Sequence, residues 1–225
     1  MQKLLIELHY LPCIEYFCHL IKFKQIEIEA NEFFEKQSYR SRCYILAANK
    51  VQMLSIPVKK HGAWRIAHGE VHTTQDTKIF YKDVKIDYNQ NWLKNHWNAI
   101  QSAYGKAPYF EFYAEFFREI LFKKIKYLFD LNIEMLDLCL KLLQVKCGIE
   151  FTESFNKMPA DNTYDMRNVI HLKKESKYLF KPHHYQQLFG NKFAANLSII
   201  DLLFCEGGDA LKVIEKSEPL INLIK

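Results

Sequence analysis

The residue best placed to do chemistry is His9. It stands at the end of a short apolar run, Leu4-Leu5-Ile6 and Leu8, and just ahead of a second pattern. In that second pattern Ile14, Phe17, Cys18, Ile21 and Lys22 recur at three- and four-residue spacing. The first run reads as a buried strand and the second as a helix. A histidine in the turn between them can move a proton or hold an anion. It can equally be a cap, or a partly buried ring bonded to backbone. Tyr10 would be a wall of such a site, and Pro12 suits the first turn of the helix, where its missing N–H is no loss. In open α/β sheets, ligands gather at the carboxyl ends of strands.

A second group follows two dozen residues later. Lys36, Tyr39, Arg40 and Arg42 form a basic, aromatic loop. If the chain runs strand, helix, strand, this loop leaves the same sheet edge as His9, and Lys36 and Arg42 can clamp a phosphate or carboxylate, with Tyr39 beside them. The alternative is a solvated loop whose cations pair with Glu29, Glu32 and Glu35. His96, on a helix after Asn91, is a second acid–base candidate. Asp201 lies among Ile199, Ile200, Leu202 and Leu203. A carboxylate within such a run must be paired or turned outward, and it is taken here as a candidate substrate-binding group.

Other groupings are weaker. His9, Cys13, Cys18 and His19 lack a second ligand pair at zinc spacing, so no metal site is assigned. His61, His68 and His72 fall in the long stretch Lys59–Lys82, which has no helical pattern and reads as a surface loop. Lys173–Tyr185 interleaves lysines, aromatics and histidines in the manner of single-stranded nucleic-acid grooves, without an accompanying RNA-binding signature. With seven glycines there is no G-x-G-x-x-G, no P-loop and no G-x-S-x-G, and H-E-x-x-H and D-x-D are absent too. The His9 turn is therefore read as a glycine-poor turn that binds through side chains. No cofactor is indicated.

The elements that would position these residues are legible in outline. Gln25–Ala30 alternates as a strand and completes a βαβ unit, whose crossover would be right-handed. Cys43–Leu46 and Val51–Val58 read as a hairpin turning at Ala47–Lys50, with Asn49 able to take positive φ. Val84–Ile86 is a candidate returning strand. Trp92–Tyr104 is helical and stops at Gly105; a second helix starts after Pro108; Asp130–Leu143 is a third, with Gly148 in the C-cap role. Ile149–Phe155 reads as a strand. Asn196 or Ser198 caps a last apolar helix, Ile199–Cys205, and Asp209–Ile214 is a short closing helix. The pattern predicts an α/β fold: a mixed, partly parallel sheet flanked by helices, with a helix-rich middle section, in one domain spanning 1–225.

Composition sets the limits. Hydrophobic residues are 49% of the 225, enough for a substantial core, and aromatics reach 15%. The formal charge of +5 fits a lysine-rich solvated surface better than a dedicated nucleic-acid module, so nucleic acid is the lesser alternative as partner. The six cysteines form no C-x-x-C. Glu7 and His9 interrupt the apolar start, arguing against a signal peptide. These features predict free thiols in a reducing cytoplasm. No apolar run approaches the roughly 20 residues of a membrane helix. Oligomeric state is not readable, although the aromatic helices offer a dimerisation surface.

Several stretches together resemble the WbqC-like protein family. They are HYLPCIEYF at 9–17, KQSYRSRCYIL at 36–46, VQMLSIPVKK at 51–60, the run DVKIDYNQNWLKNHWNAIQSAYGKAPYFEFY at 83–113, FDLNIEMLDL at 129–138 and NLSIIDLLFCEG at 196–207. The resemblance spans nearly the whole chain. Glu15 occupies a position where many members have Gly, and Tyr39 one where many have Trp; Arg42 matches. The family is bacterial and associated with surface-polysaccharide (O-antigen) gene clusters. The resemblance thus implies a cytoplasmic protein acting on a sugar-linked or nucleotide-linked precursor as a group transferase with an anionic small-molecule substrate. The alternative is a non-enzymatic accessory protein that binds nucleic acid or a partner.

Overall fold

The computed structural model describes residues 2–59, 78–171, 180–190 and 192–220. Strand β1 (Lys3–Ile6) leads through the His9 turn into helix α1 (Ile14–Leu20), and the chain returns as β2 (Gln25–Ile28). The two strands pair in parallel, Leu4 opposite Ile26 and Ile6 opposite Ile28. These four side chains share one face and are almost wholly buried, which fixes the register, because a one-residue slip would turn them all to the other side. All seven residues of α1 are buried, including Glu15 and His19. Glu15 is matched by Asn196, whose Oδ1 accepts the Glu15 N–H and whose amide donates to Glu15 Oε2 at 2.7 Å. Pro12 does not open this helix. Leu11 turns the chain with φ 41°, Cys13 bridges to Ser198, and only at Ile14 does the helix begin.

The expected hairpin is β3 (Arg42–Leu46) and β4 (Val51–Ser55), antiparallel with Arg42 opposite Ser55. Asn49 does not take positive φ; the turn is closed by the Ala47 N–H donating to the Lys50 carbonyl. Instead of a full returning strand at 84–86, a 3-10 turn at Tyr81–Asp83 is followed by single bridges from Ile86 to Val58 and from Lys85 to Tyr127. Three helices come next: α2 (Trp92–Tyr104), α3 (Phe110–Phe122) and α4 (Leu128–Leu142). α4 ends without Gly148. Gln144 supplies the positive φ after the last turn, while Gly148 opens the next strand.

That strand, β5 (Gly148–Phe151), lies beside β2, and β6 (Thr163–Asp165) lies beside β1. The main sheet has the order β5-β2-β1-β6, with every pairing parallel. The chain closes with β7 (Phe180–Lys181), α5 (Ile199–Glu206), α6 (Ala210–Lys216) and β8 (Glu218–Pro219), which pairs with β7. The fold is thus α/β, with parallel and antiparallel pairing segregated into separate sheets. One cluster of buried apolar residues runs from Leu4 to Ile214. All six cysteines are free.

Candidate functional site

The carboxyl ends of β1, β2 and β6 converge, and each releases charged residues at that edge. Past β1 come Glu7 and His9, both 1% exposed. Backbone contacts hold this turn. The Tyr10 N–H donates to the Tyr39 carbonyl at 2.8 Å, and the Tyr81 hydroxyl lies against the carbonyls of Leu8 and Arg40. Asn132, buried on α4, donates to the same Arg40 carbonyl. The two loops singled out in the sequence are therefore stapled together by groups from the 3-10 turn and α4.

Glu7 orients His9. Its Oε1 lies 3.1 Å from His9 Nε2, and its Oε2 accepts the Asn168 backbone N–H. Burial works to raise the Glu7 pKa. The hydrogen bond to His9 and the nearby Arg40 charge outweigh it and hold the carboxyl below its usual range. Burial lowers the His9 pKa, against the pull of Glu7. The pair at neutral pH is thus a carboxylate and a neutral imidazole with its proton on Nε2. That leaves the Nδ1 lone pair, which is buried and has no hydrogen-bond partner among the described residues. Tyr39 stacks on the imidazole at 5.2 Å between centroids, and Tyr16 tilts against it at 5.0 Å.

Around this pair lies an ion network. Arg40, 2% exposed, makes a two-pronged contact with Glu32, at 2.7 Å from Nε and 2.5 Å from Nη2, and reaches Asn168 Oδ1 at 3.0 Å. Burial raises the Glu32 pKa to about 7 despite this contact, with Glu7 and Glu29 adding repulsion. The fork geometry argues that Glu32 is nonetheless held as the carboxylate partner of Arg40. Arg167 joins Asp165 to the wholly buried Glu29, and Glu29 also accepts from the Thr152 hydroxyl. On the open side of the sheet is a cavity of about 550 Å³ bordered by Lys3, Glu27, Glu29, Thr152, Glu153 and Arg167.

Of the residues proposed from sequence, the structure brings His9 and Tyr39 into direct contact. Tyr10 backs onto His96: the Tyr10 hydroxyl lies 3.3 Å from His96 Nδ1, and His96 Nε2 lies 3.1 Å from the Ser55 carbonyl. The imidazole must donate to that carbonyl, so Nδ1 is the acceptor and the ring is neutral; burial lowers its pKa to about 4. Both nitrogens of His96 are thus occupied by the fold. Arg42 and Tyr44 share one face of β3, opposite the buried Cys43 and Ile45. The Tyr44 ring meets the edge of Tyr39 at 6.2 Å. Arg42 is half-buried, and its side chain makes no hydrogen bond or ion pair among the described residues; its Nε is shut away from solvent without a partner there. Lys36 is exposed.

Asp201 is buried in a separate set of contacts. Its oxygens accept from the hydroxyls of Tyr104, at 2.8 Å, and Tyr185, and Gln187 reaches it at 3.4 Å. Through the Leu46 N–H, which donates to the Tyr104 oxygen, this carboxylate ties α5 to α2 and β3. Of Lys173–Tyr185, residues 173–179 lie outside the described residues, as do His61, His68 and His72. In the described remainder, Tyr185 is anchored on Asp201, and His184 stacks on Phe193. No group of three or more metal-ligating side chains occurs among the described residues. Glu7, Arg167 and Asn168 were not singled out by sequence reasoning, which named Glu29 only as a pairing partner for the cations of the Lys36–Arg42 loop. Only Glu7 carried a signal, as the acid interrupting a buried run.

Fold and site define an α/β protein whose parallel sheet presents a carboxylate–histidine pair and a fork of buried ions at its carboxyl edge. The chain belongs to the WbqC-like protein family, whose model matches residues 8–182. No curated protein and no solved structure matches it. No helix among the described residues is long and apolar enough to cross a membrane.

Proposed function

We propose that this chain is a cytoplasmic group transferase acting on a sugar-linked or nucleotide-linked precursor in bacterial surface-polysaccharide biosynthesis. The observation that carries the proposal is the Glu7–His9 pair with its unpartnered Nδ1. Glu7 fixes the tautomer and stabilises the imidazolium that forms when Nδ1 takes a proton. The proton comes from an amino or hydroxyl group of the acceptor. That group's lone pair then forms the bond to the transferred carbon, and the leaving group departs with the electrons of the bond that breaks. Tyr39 lies over His9 and would border the acceptor. Arg42 is the group for the anion, because no carboxylate among the described residues pairs with its guanidinium. The cavity on the open sheet face suits an anion less well, since its carboxylates outnumber Lys3 and Arg167. Family membership supports the polysaccharide context.

The test uses the purified full chain with a panel of nucleoside diphosphate sugars and amine or hydroxyl acceptors, with products read by mass spectrometry. His9→Gln and Glu7→Gln are expected to lower turnover at least about a hundredfold while the urea midpoint shows the protein folded. Arg42→Met is expected to weaken sugar-nucleotide binding, measured by calorimetry, at least about tenfold. A fully active His9→Gln protein removes the base from the mechanism, and unchanged affinity in Arg42→Met removes the anion site.

A further inference from the structure

The hairpin of β3 and β4 buries one face and leaves the other open. Cys43, Ile45 and Leu54 are buried on the inner face. Arg42 and Tyr44 share the outer face, with Ser55 and Met53 directly across from them on β4. Tyr44 is half-buried, and Val51 and Met53 are each 43% exposed. Directly opposed residues in an antiparallel pair lie side by side, with Cβ atoms about 5 Å apart. Tyr44 and Met53 therefore form one short apolar strip, with the Arg42 guanidinium two residues along the same strand. The strip continues inward. The edge of Tyr39 meets the Tyr44 ring at 6.2 Å, and Tyr39 stacks on His9 at 5.2 Å. His9, Tyr39 and Tyr44 thus make an unbroken line of rings, and Arg42 stands beside its outer end.

We propose that the outer face of the hairpin is a nucleotide subsite: Arg42 holds the diphosphate, and the base stacks on Tyr44 with Met53 at its side. This rests on the transferase reading of His9 and Arg42 and narrows its substrate to a nucleoside-diphosphate-linked precursor. Two observations carry it together. The Arg42 Nε is shut from solvent with no partner among the described residues, and such a group costs free energy until an acceptor meets it. A diphosphate supplies several acceptor oxygens in the geometry a guanidinium fork prefers. The second observation is the ring beside it. Stacking on an aromatic side chain is open to every base, because each has a π-face, and a methionine thioether adapts to the edge of such a ring. The strip is one ring and two aliphatic side chains long, which matches a base and is short for a prenyl chain. With the base on Tyr44, the line of rings leads from the nucleotide toward His9.

Calorimetry of the full chain with UDP, ADP, inorganic pyrophosphate and geranyl diphosphate tests this, with the urea midpoint as a control on each variant. The expected result is that both nucleoside diphosphates bind at least about tenfold tighter than pyrophosphate, and that geranyl diphosphate does not share the gain. Tyr44→Leu should remove the gain and leave pyrophosphate binding unchanged, whereas Tyr44→Phe, which keeps the ring, should retain it. Met53→Ser, at an exposed position, should reduce the gain without disturbing the fold. Arg42→Met should weaken every diphosphate. Nucleoside diphosphates that bind no tighter than pyrophosphate overturn the subsite, and so does a gain that survives both Tyr44→Leu and Met53→Ser. A gain shared by geranyl diphosphate overturns it too and points to a lipid-linked donor. In each of these cases Arg42-dependent binding of pyrophosphate would leave the anion site of the transferase reading standing. No binding of any diphosphate overturns both.

Discussion

Replacing His96 by Gln should change how stability depends on pH more than it changes stability at pH 7. In the fold His96 is neutral, donating to the Ser55 carbonyl and accepting from the Tyr10 hydroxyl, and burial takes its pKa from 6.5 to about 4. In the unfolded chain the ring protonates at its ordinary value. Between pH 6.5 and 4 the unfolded state therefore binds the extra proton, so stability falls as pH falls through this window. At about 1.4 kcal/mol per unit, the loss reaches about 3 kcal/mol at pH 4 and is absent above pH 6.5. Burial of His9 acts in the same direction, and Glu7 contributes a loss that sets in below the ordinary Glu range. The comparison is therefore wild type against variant at each pH, in urea titrations. Gln carries no titrating proton, so its disadvantage at pH 7 should shrink by about 3 kcal/mol by pH 4. The imidazole protons of His96 should also show no titration above about pH 5 in NMR spectra. Parallel pH curves for the two proteins, or a His96 that titrates near 6.5, would refute the neutral, buried assignment and return His96 to the list of acid–base candidates.

Arg40→Met should cost about 3–5 kcal/mol in urea unfolding, because it strands the buried Glu32 carboxylate; pairing it with Glu32→Met should recover much of that, and a double variant no better than the single would contradict the ion-pair account. Gly207→Ala should lose at least about 2 kcal/mol, since Gly207 has φ 55° and an added Cβ would meet the Tyr109 ring at 2.3 Å; a midpoint unchanged from wild type would show that ring to be free to move. Asp201→Asn should cost about 1–3 kcal/mol, because an amide N–H would face a tyrosine hydroxyl that now donates; if Asp201 is a substrate group instead, the variant will keep its stability and lose ligand affinity.

The local periodicities were enough to place the elements that carry the site. The change of period between Leu4–Leu8 and Ile14–Lys22 located β1, the His9 turn and α1, since a buried strand and a helix bury side chains at different spacings. Trp92–Tyr104 and the hairpin were legible for the same reason. Chain ends and turns were less so: Gly148 looked like a helix stop, but Gln144 took the left-handed conformation and freed the glycine to open a strand. β6 was invisible, as three residues with two polar side chains carry no period; only its place beside β1 makes it a strand.

What the sequence determined by itself was that the usual glycine-rich phosphate-binding turns are absent, that His9 stands at a strand-to-helix turn, and that a basic, aromatic loop follows the second strand. Which of those side chains are free was decided only by tertiary structure. Arg40 and Arg42 are two residues apart and chemically alike, yet Arg40 is consumed by Glu32 and Asn168 while Arg42 has no partner among the described residues. His9 and His96 are likewise indistinguishable as residues. One keeps an open nitrogen because Glu7 takes the other, and the second spends both on Ser55 and Tyr10. These pairings join residues up to 128 positions apart. Burial favours them, because a charge or polar atom away from water costs free energy until it finds a partner, and no spacing along the chain specifies which one it finds.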